Sequence, residues 1–235
     1  MSTYCMSDIH GQIDAFNEML EKIEFSSDDK LYVIGDVVDR GPAGVDMLLK
    51  VKSMPNATML LGNHEHMMME FFSPDATEKQ IKRWNKNRNT PTITKFLALS
   101  DEKKEEVLEF IRNMPTHVEL NVSGRDFYLV HGWPGENTHD EVWGRPSSPE
   151  EKNPLKDKML IIGHTPVSYL INGDDDKEEA YLTALEEKGE HVKILKTGEF
   201  TDIDCSCGYP YRSCALGCLR LDDMQEFYIP VKTEY

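Results

Sequence analysis

Five short polar blocks carry the side chains able to do chemistry: Asp8-Ile9-His10-Gly11, Gly35-Asp36-Val37-Val38-Asp39-Arg40-Gly41, Gly62-Asn63-His64-Glu65, His131-Gly132 and Gly163-His164-Thr165. Pooled, they offer Asp8, His10, Asp36, Asn63, His131 and His164, a mixture of imidazole nitrogens with carboxylate and amide oxygens and no thiolate. Such a set suits Mn²⁺, Fe²⁺ or Zn²⁺. Six donors exceed what one catalytic ion with open positions needs, but they serve two ions that share a bridging carboxylate. Paired ions ~3.5–4 Å apart can clamp the attacking and leaving oxygens of a displacement at phosphorus and make hydroxide available at neutral pH. A lone Asp-x-His or His-Gly arises by chance; five blocks in order, each after an apolar segment, carry the reading.

The elements that must position these blocks are legible from the apolar pattern. Tyr4-Cys5-Met6, Leu31-Tyr32-Val33-Ile34 and Thr58-Met59-Leu60-Leu61 read as three buried strands, the last two ended by Gly35 and Gly62. Between them, Phe16, Met19, Leu20 and Ile23 fall on one helical face, and Val45, Leu48 and Leu49 mark a second helix closed off by Pro55. Strands separated by single helices predict a parallel sheet, and ligands bind such sheets at the carboxyl ends of the strands, where all five blocks lie. Residues 73–115 turn polar and rich in Lys and Asn and read as a helical insertion. The segments 117–120 and 127–130 flank a hairpin turn, and 159–162, 191–195, 200–203 and 219–230 read as further strands. The acidic stretch 172–190 reads as a surface loop or short solvated helix. With no internal repeat or low-complexity linker, residues 1–235 are expected to form one catalytic domain.

Composition narrows the partners. The 235 residues carry 26 Lys+Arg against 42 Asp+Glu, a formal charge of −16, which opposes nucleic-acid binding. No run reaches the ~18 apolar residues of a membrane span. The N-terminus lacks a secretory pattern, and the five cysteines are an odd number, so a cytoplasmic protein with reduced thiols is expected. An anionic substrate must then be captured by local positive charge.

The motif set resembles the calcineurin-like metallophosphoesterases, and within them the bacterial and phage branch of the serine/threonine phosphoprotein phosphatases, over roughly Tyr4 to Thr165. The resemblance implies an α/β fold in which a central β-sandwich of mixed sheets is flanked by helices in four layers, α/β/β/α. It also implies two divalent ions, with Mn²⁺ ahead of Fe or Zn. Asp8 and His10 would hold the first, Asp36 would bridge, and Asn63, His131 and His164 would hold the second. His64 would be the general acid, oriented by Asp39, while Arg40 and Arg145, the latter in Val142-Trp143-Gly144-Arg145, would grip phosphate. The implied reaction is hydrolysis of a phosphomonoester by metal-bound hydroxide without a phosphoenzyme. The resemblance puts a phosphorylated serine or threonine in a protein first as substrate, with a dinucleoside polyphosphate such as diadenosine tetraphosphate as the alternative; a non-catalytic scaffold comes last. Two departures stand out: Ser7 where many relatives have glycine, expected to matter little, and Leu61 where the eukaryotic enzymes carry arginine.

Other features favour plainer readings. His66 is expected to be structural and Met67-Met68-Met69 to pack the core, while His117, His139 and His191 lack ligand-like context, His139 alone lying near the path to Arg145. Cys205, Cys207, Cys214 and Cys218 are not spaced as a zinc ribbon and are expected to pack. The basic stretch from Lys79 to Lys95 is expected to be a solvated face; its functional reading is a positive lip around Trp84. Asp174-Asp175-Asp176 is expected to be exposed and non-catalytic.

Overall fold

The structure is a computed structural model that describes residues 1–231, so the last four residues of the expected 1–235 unit lie outside the described residues. The first third alternates as its periodicity predicts: β1 (Thr3–Met6), α1 (Ile13–Lys22), β2 (Lys30–Val33), α2 (Gly44–Ser53), β3 (Ala57–Met59) and α3 (Asn63–Phe71). The three strands pair in parallel, Met6 opposite Val33 and Val33 opposite Met59. The insertion is helical, as α4 (Glu78–Asn85), α5 (Thr90–Leu97) and α6 (Asp101–Arg112), and it lies against α2 and α3. Local signals start these helices: Thr77 and Gln80 form a capping box before α4, and Ser100 accepts from the Lys103 N–H before α6.

The hairpin is β4 (His117–Val122) and β5 (Arg125–Val130), turning on Ser123-Gly124, both at positive φ as a tight hairpin demands. There follow α7 (Thr138–Trp143), β6 (Met159–Ile162), α8 (Val167–Asn172), α9 (Asp175–Lys188), β7 (Leu195–Lys196), β8 (Phe200–Asp202), β9 (Ala215–Arg220) and β10 (Gln225–Pro230). Three expectations need correction. The 172–190 stretch holds a 14-residue helix, started by the Asp174 side chain and burying Leu182 and Leu185, so it is an integral element and not a loop. The strand expected at 191–195 shrinks to Leu195–Lys196, and 219–230 is not one strand but the end of β9, a turn and β10, in a hairpin that begins at Ala215.

Two mixed five-stranded sheets result, ordered β10-β9-β1-β2-β3 and β4-β5-β6-β8-β7. The expected parallel strands form the heart of the first, extended by the antiparallel β9 and β10; β5, β6 and β8 run parallel in the second, with antiparallel strands at its edges. Alternation along each strand builds the layers. Cys5, Phe127, Leu129 and Ile161 meet between the sheets. Tyr4, Met6, Leu31 and Val33 face the opposite way, onto α1, α2 and the insertion helices through Phe16, Leu48 and Trp84. Tyr128, Val130, Leu160 and Ile162 line the outer face of the second sheet, covered by Leu170 of α8 and by Trp133 and Leu155. Each large apolar side chain fully buried this way contributes about 1.5–3 kcal/mol. Among the described residues no helix is long and apolar enough to cross a membrane.

Candidate metal centre

Every polar block sits just past the carboxyl end of a strand. Asp8 and His10 follow β1, Asp36 to Arg40 follow β2, Asn63 and His64 open α3 after β3, His131 follows β5 and His164 follows β6. Asp8, His10, Asp36, Asp39, Arg40 and His164 all hold positive φ, between 46° and 68°. Non-glycine residues adopt this region at a cost, and such strain gathers where a fold must aim side chains at a common point. Close backbone approach also demands glycine: a Cβ on Gly163 would lie 2.0 Å from Ser7 Oγ and 2.5 Å from Asp8 Oδ2. Ser7 is therefore not the neutral departure its position suggests. Its hydroxyl hydrogen-bonds with the Asp8 carboxylate and lies 3.0 Å from the Ile34 carbonyl oxygen.

The side chains converge on Asp36. One group able to hold an ion comprises His10, Asp36 and His64, a second comprises Asp36, His131 and His164, and within each the donor atoms lie within 4.8 Å of one another. Asn63 Oδ1 is 3.0 Å from His131 Nε2, and Asp8 Oδ2 accepts from the His164 backbone N–H at 2.9 Å. All six candidate ligands are thus brought together, with His64 close enough to Asp36 to belong to the cluster as well. Buried His164 Nε2 has no hydrogen-bond partner among the described residues, a lone pair suited to a cation. Charge states agree. Burial holds His10 and His164 well below the usual histidine range, hence neutral. Burial opposes ionisation of Asp36, yet His131 and His64 outweigh it and keep the carboxyl well below its ordinary value. Burial likewise opposes charge on His131, but Asp36 and Asp8 raise it to about 10, so a divalent cation there must displace a proton. Neutral His10 and His164 beside an ionised Asp36, with His131 joining them once its proton is displaced, fit a divalent metal.

A supporting shell escaped the sequence reading. Glu65, fully buried, accepts from the backbone N–H groups of Asp36, Val37 and Val38 at 2.8, 2.9 and 3.1 Å and so folds the loop that presents Asp36. Burial and the nearby Asp36 charge lift its carboxyl to about 7. His64 Nδ1 donates to Asp39 Oδ2 at 2.6 Å, and Trp84 Nε1 donates to the same oxygen at 2.6 Å. Trp84 is completely buried, which corrects its placement in a positive lip: it braces Asp39 from behind. Much of the basic stretch is also neutralised, by Lys82–Glu78, Arg83–Glu70 and Lys95–Asp46 pairs. Only pairing within the described helices reveals this, since the sequence of 79–95 itself holds no acid.

Arg145 Nη1 donates to the His164 carbonyl oxygen at 3.2 Å, placing its guanidinium at the cluster, and Arg40 lies 5.1 Å over the Tyr209 ring. Tyr209 belongs to a loop that the sequence marks only by its cysteines. A Cβ on Gly208 would come 2.4 Å from His10 Cδ2, so this loop closes directly over the His10 ring. Cys205, Cys207 and Cys214 there, and Cys218 in β9, are free and buried, and burial pushes their thiols up. Asp202 and Asp204, at the end of β8, are buried carboxyls raised first by burial and then by neighbouring carboxylates. The remaining histidines lie outside the cluster: His66 is 3.9 Å from Glu70, His117 stacks on Tyr128, and His191 packs on Tyr228. His139 stacks on Trp143, which stands edge-on to His164. Met67 and Met68 are core residues, as expected.

The family model for calcineurin-like phosphoesterases matches residues 1–196. A symmetrical bis(5'-nucleosyl)-tetraphosphatase of Acidovorax ebreus is 33% identical over 146 residues, covering 59% of this chain and 48% of the relative. The match thus spans about half the length of that curated relative. Among solved structures, a metallophosphoesterase of Sphaerobacter thermophilus superposes with a TM-score of 0.60 at 15% identity, covering all of this chain and 90% of the other. A cold-active protein tyrosine phosphatase of a Shewanella species gives 0.54 at 13% identity, covering 97% and 80%. These structures share the fold. Of the two substrates the sequence raises, the name of the curated relative matches the alternative, the dinucleoside polyphosphate.

Proposed function

Because the chain belongs to the calcineurin-like phosphoesterases, we propose that it is a metal-dependent hydrolase of dinucleoside polyphosphates that splits a dinucleoside tetraphosphate, with one water, into two nucleoside diphosphates. The observation that carries the reading is Asp36, one ionised carboxylate common to two groups of neutral or displaceable imidazole donors. In this reading Asp8, His10, Asp36, Asn63, His131 and His164 hold two divalent ions. When bound, such a pair supplies an activated water and neutralises charge on the phosphoryl oxygens. Mn²⁺ is the working metal we assign, from the mixed nitrogen and oxygen donors. The five buried thiols suit a reducing cytoplasm, and the chain acts as one catalytic unit.

The other steps belong to this chain's own groups. Arg40 and Arg145 bind phosphoryl oxygens, where a planar guanidinium makes paired hydrogen bonds. His64 delivers a proton to the departing oxygen. Its Nδ1 is tied to Asp39, which leaves Nε2 as the donating atom and stabilises the cationic ring. Trp84 holds Asp39 in place, so the acid is aimed by a chain of three buried side chains.

The test is a substrate panel. Metal-stripped protein is given Mn²⁺, Zn²⁺, Mg²⁺ or Fe²⁺ and offered diadenosine tetraphosphate, a phosphoserine peptide and p-nitrophenyl phosphate. Highest kcat/KM on the dinucleotide, with ADP as sole product, is expected. Preference for the phosphopeptide would return protein phosphatase activity to first place, and inactivity with every metal would leave a scaffold.

A further inference from the structure

A basic hollow opens directly beside Arg40. It has a volume of about 210 Å³ and is lined by Arg40, Lys86, Asn87, Arg88, Gly208 and Tyr209. Its inner wall is the loop whose Gly208 abuts the His10 ring, so the hollow begins where the candidate metal cluster ends. Arg40, Lys86 and Arg88 are unpaired with any carboxylate among the described residues, in a protein of net charge −16 whose other insertion cations are largely paired. Arg88 is also built in: its φ is 53°, and its carbonyl oxygen accepts the Arg40 N–H at 3.0 Å. The strained residue and the phosphate-gripping arginine are thus held in one fixed relation.

Tyr209 and Arg88 form the partition between this hollow and a second of about 350 Å³. That second hollow is different in character: besides Arg88 it is lined by Leu182, Tyr209, Pro210 and Tyr211 and by the carboxylates Asp175, Glu178 and Glu179. The hollow beside Arg40 is thus cationic, and its neighbour combines aromatic rings with carboxylates. Oxyanions suit the first, while rings beside carboxylates in the second suit a planar heterocycle and the hydroxyls or exocyclic amine attached to it. We infer that these two hollows form a subsite for the nucleoside diphosphate portion of the substrate that departs, with Lys86 and Arg88 on its phosphates and Tyr209 and Tyr211 against its base. This rests on the dinucleotide reading above and supplies what the metal ligands cannot, a reason to prefer a nucleotide over a simple phosphate ester.

The experiment uses p-nitrophenyl phosphate as reporter on the Mn²⁺-loaded enzyme, with ADP, pyrophosphate and inorganic phosphate as inhibitors. Lys86→Gln/Arg88→Asn removes both charges, and asparagine tolerates the left-handed backbone at position 88. Wild-type enzyme is expected to bind ADP at least tenfold more tightly than phosphate. The double variant loses tenfold or more in ADP inhibition, while its phosphate inhibition and its kcat/KM on the reporter stay within twofold. Tyr211→Ala weakens ADP at least threefold and leaves pyrophosphate unchanged. ADP binding no tighter than phosphate, an equal loss for both, or a tenfold fall in reporter turnover would overturn the subsite; the last would show that these residues only brace Arg40. Since the reporter needs no dinucleotide cleavage, failure to hydrolyse diadenosine tetraphosphate with the ADP preference intact would refute the substrate reading alone.

Discussion

Replacing Asp39 by asparagine isolates one electrostatic contribution. Asp39 Oδ2 receives both His64 Nδ1 and Trp84 Nε1 at 2.6 Å, while Oδ1 has no partner among the described residues. A carboxamide with its oxygen at the Oδ2 position still accepts both donors, so geometry is retained and only the charge is lost. Hydrogen bonds to a charged group contribute about 1.5–3 kcal/mol and neutral ones about 0.5–1.5. The difference, about 1–1.5 kcal/mol, corresponds to roughly 5- to 13-fold in rate. Asp39 is completely buried and His64 nearly so, which keeps water from making good the loss. The charge lies against the ring that donates the proton, so its removal should cost most for leaving groups that need a proton. We therefore expect kcat on phenyl phosphate to fall roughly 5- to 13-fold at pH 8, with kcat on p-nitrophenyl phosphate within about twofold, since nitrophenolate departs unprotonated. Bound metal, measured by mass spectrometry, should be unchanged. Equal losses on both substrates, or loss of an ion, would refute the reasoning and make His64 a metal ligand and not the acid.

Glu65→Ala strands the N–H groups of Asp36, Val37 and Val38, and at about 1–3 kcal/mol each the fold should lose at least about 3 kcal/mol in urea titrations of metal-free protein; a loss under about 1 would count against the bracing role. Gly208→Ala drives a methyl group onto His10, so Mn²⁺ affinity by calorimetry should fall about 10-fold or more, whereas wild-type affinity would show that the loop yields freely. Burial lifts the Glu178 carboxyl above its usual range although Ser168 donates to it, so its contribution to stability is present below the unfolded value and is lost as pH rises through the folded one. Glu178→Gln should accordingly melt higher than wild type at pH 8, with the gap closing by about pH 4; a gap equal at both pH values would remove the assignment.

The parallel core of the first sheet and the convergence of the candidate ligands were readable because each candidate follows its own strand within a few residues, so local pattern and site coincide. Asp8, Asp36 and Asn63 need only strand, turn and helix to be recognised. What stayed hidden depends on contacts across the fold. Glu65 acts on a loop 27–29 residues earlier, and nothing in its helix distinguishes it from a solvated glutamate. Trp84 reaches Asp39 over 45 positions from an insertion whose composition reads as surface. In α9 the buried positions are Glu178, Leu182 and Leu185, too few apolar residues among many acids to show a helical face. The loop over His10 was marked by its cysteines, while its working residue is the glycine between Cys207 and Tyr209, required by a close approach that exists only in the folded chain.

The cluster also straddles the seam of the sandwich. Asp8, His10, Asp36 and Asn63 come from the first sheet, His131 and His164 from the second, and Asp36 reaches across to His131 at 3.3 Å. Ions held there would act as rivets between the two halves, and their binding energy would be shared with the fold. Chelation would then loosen the whole sandwich and not merely silence it. Supply of metal would set how long the protein survives in a cell as well as how fast it turns over.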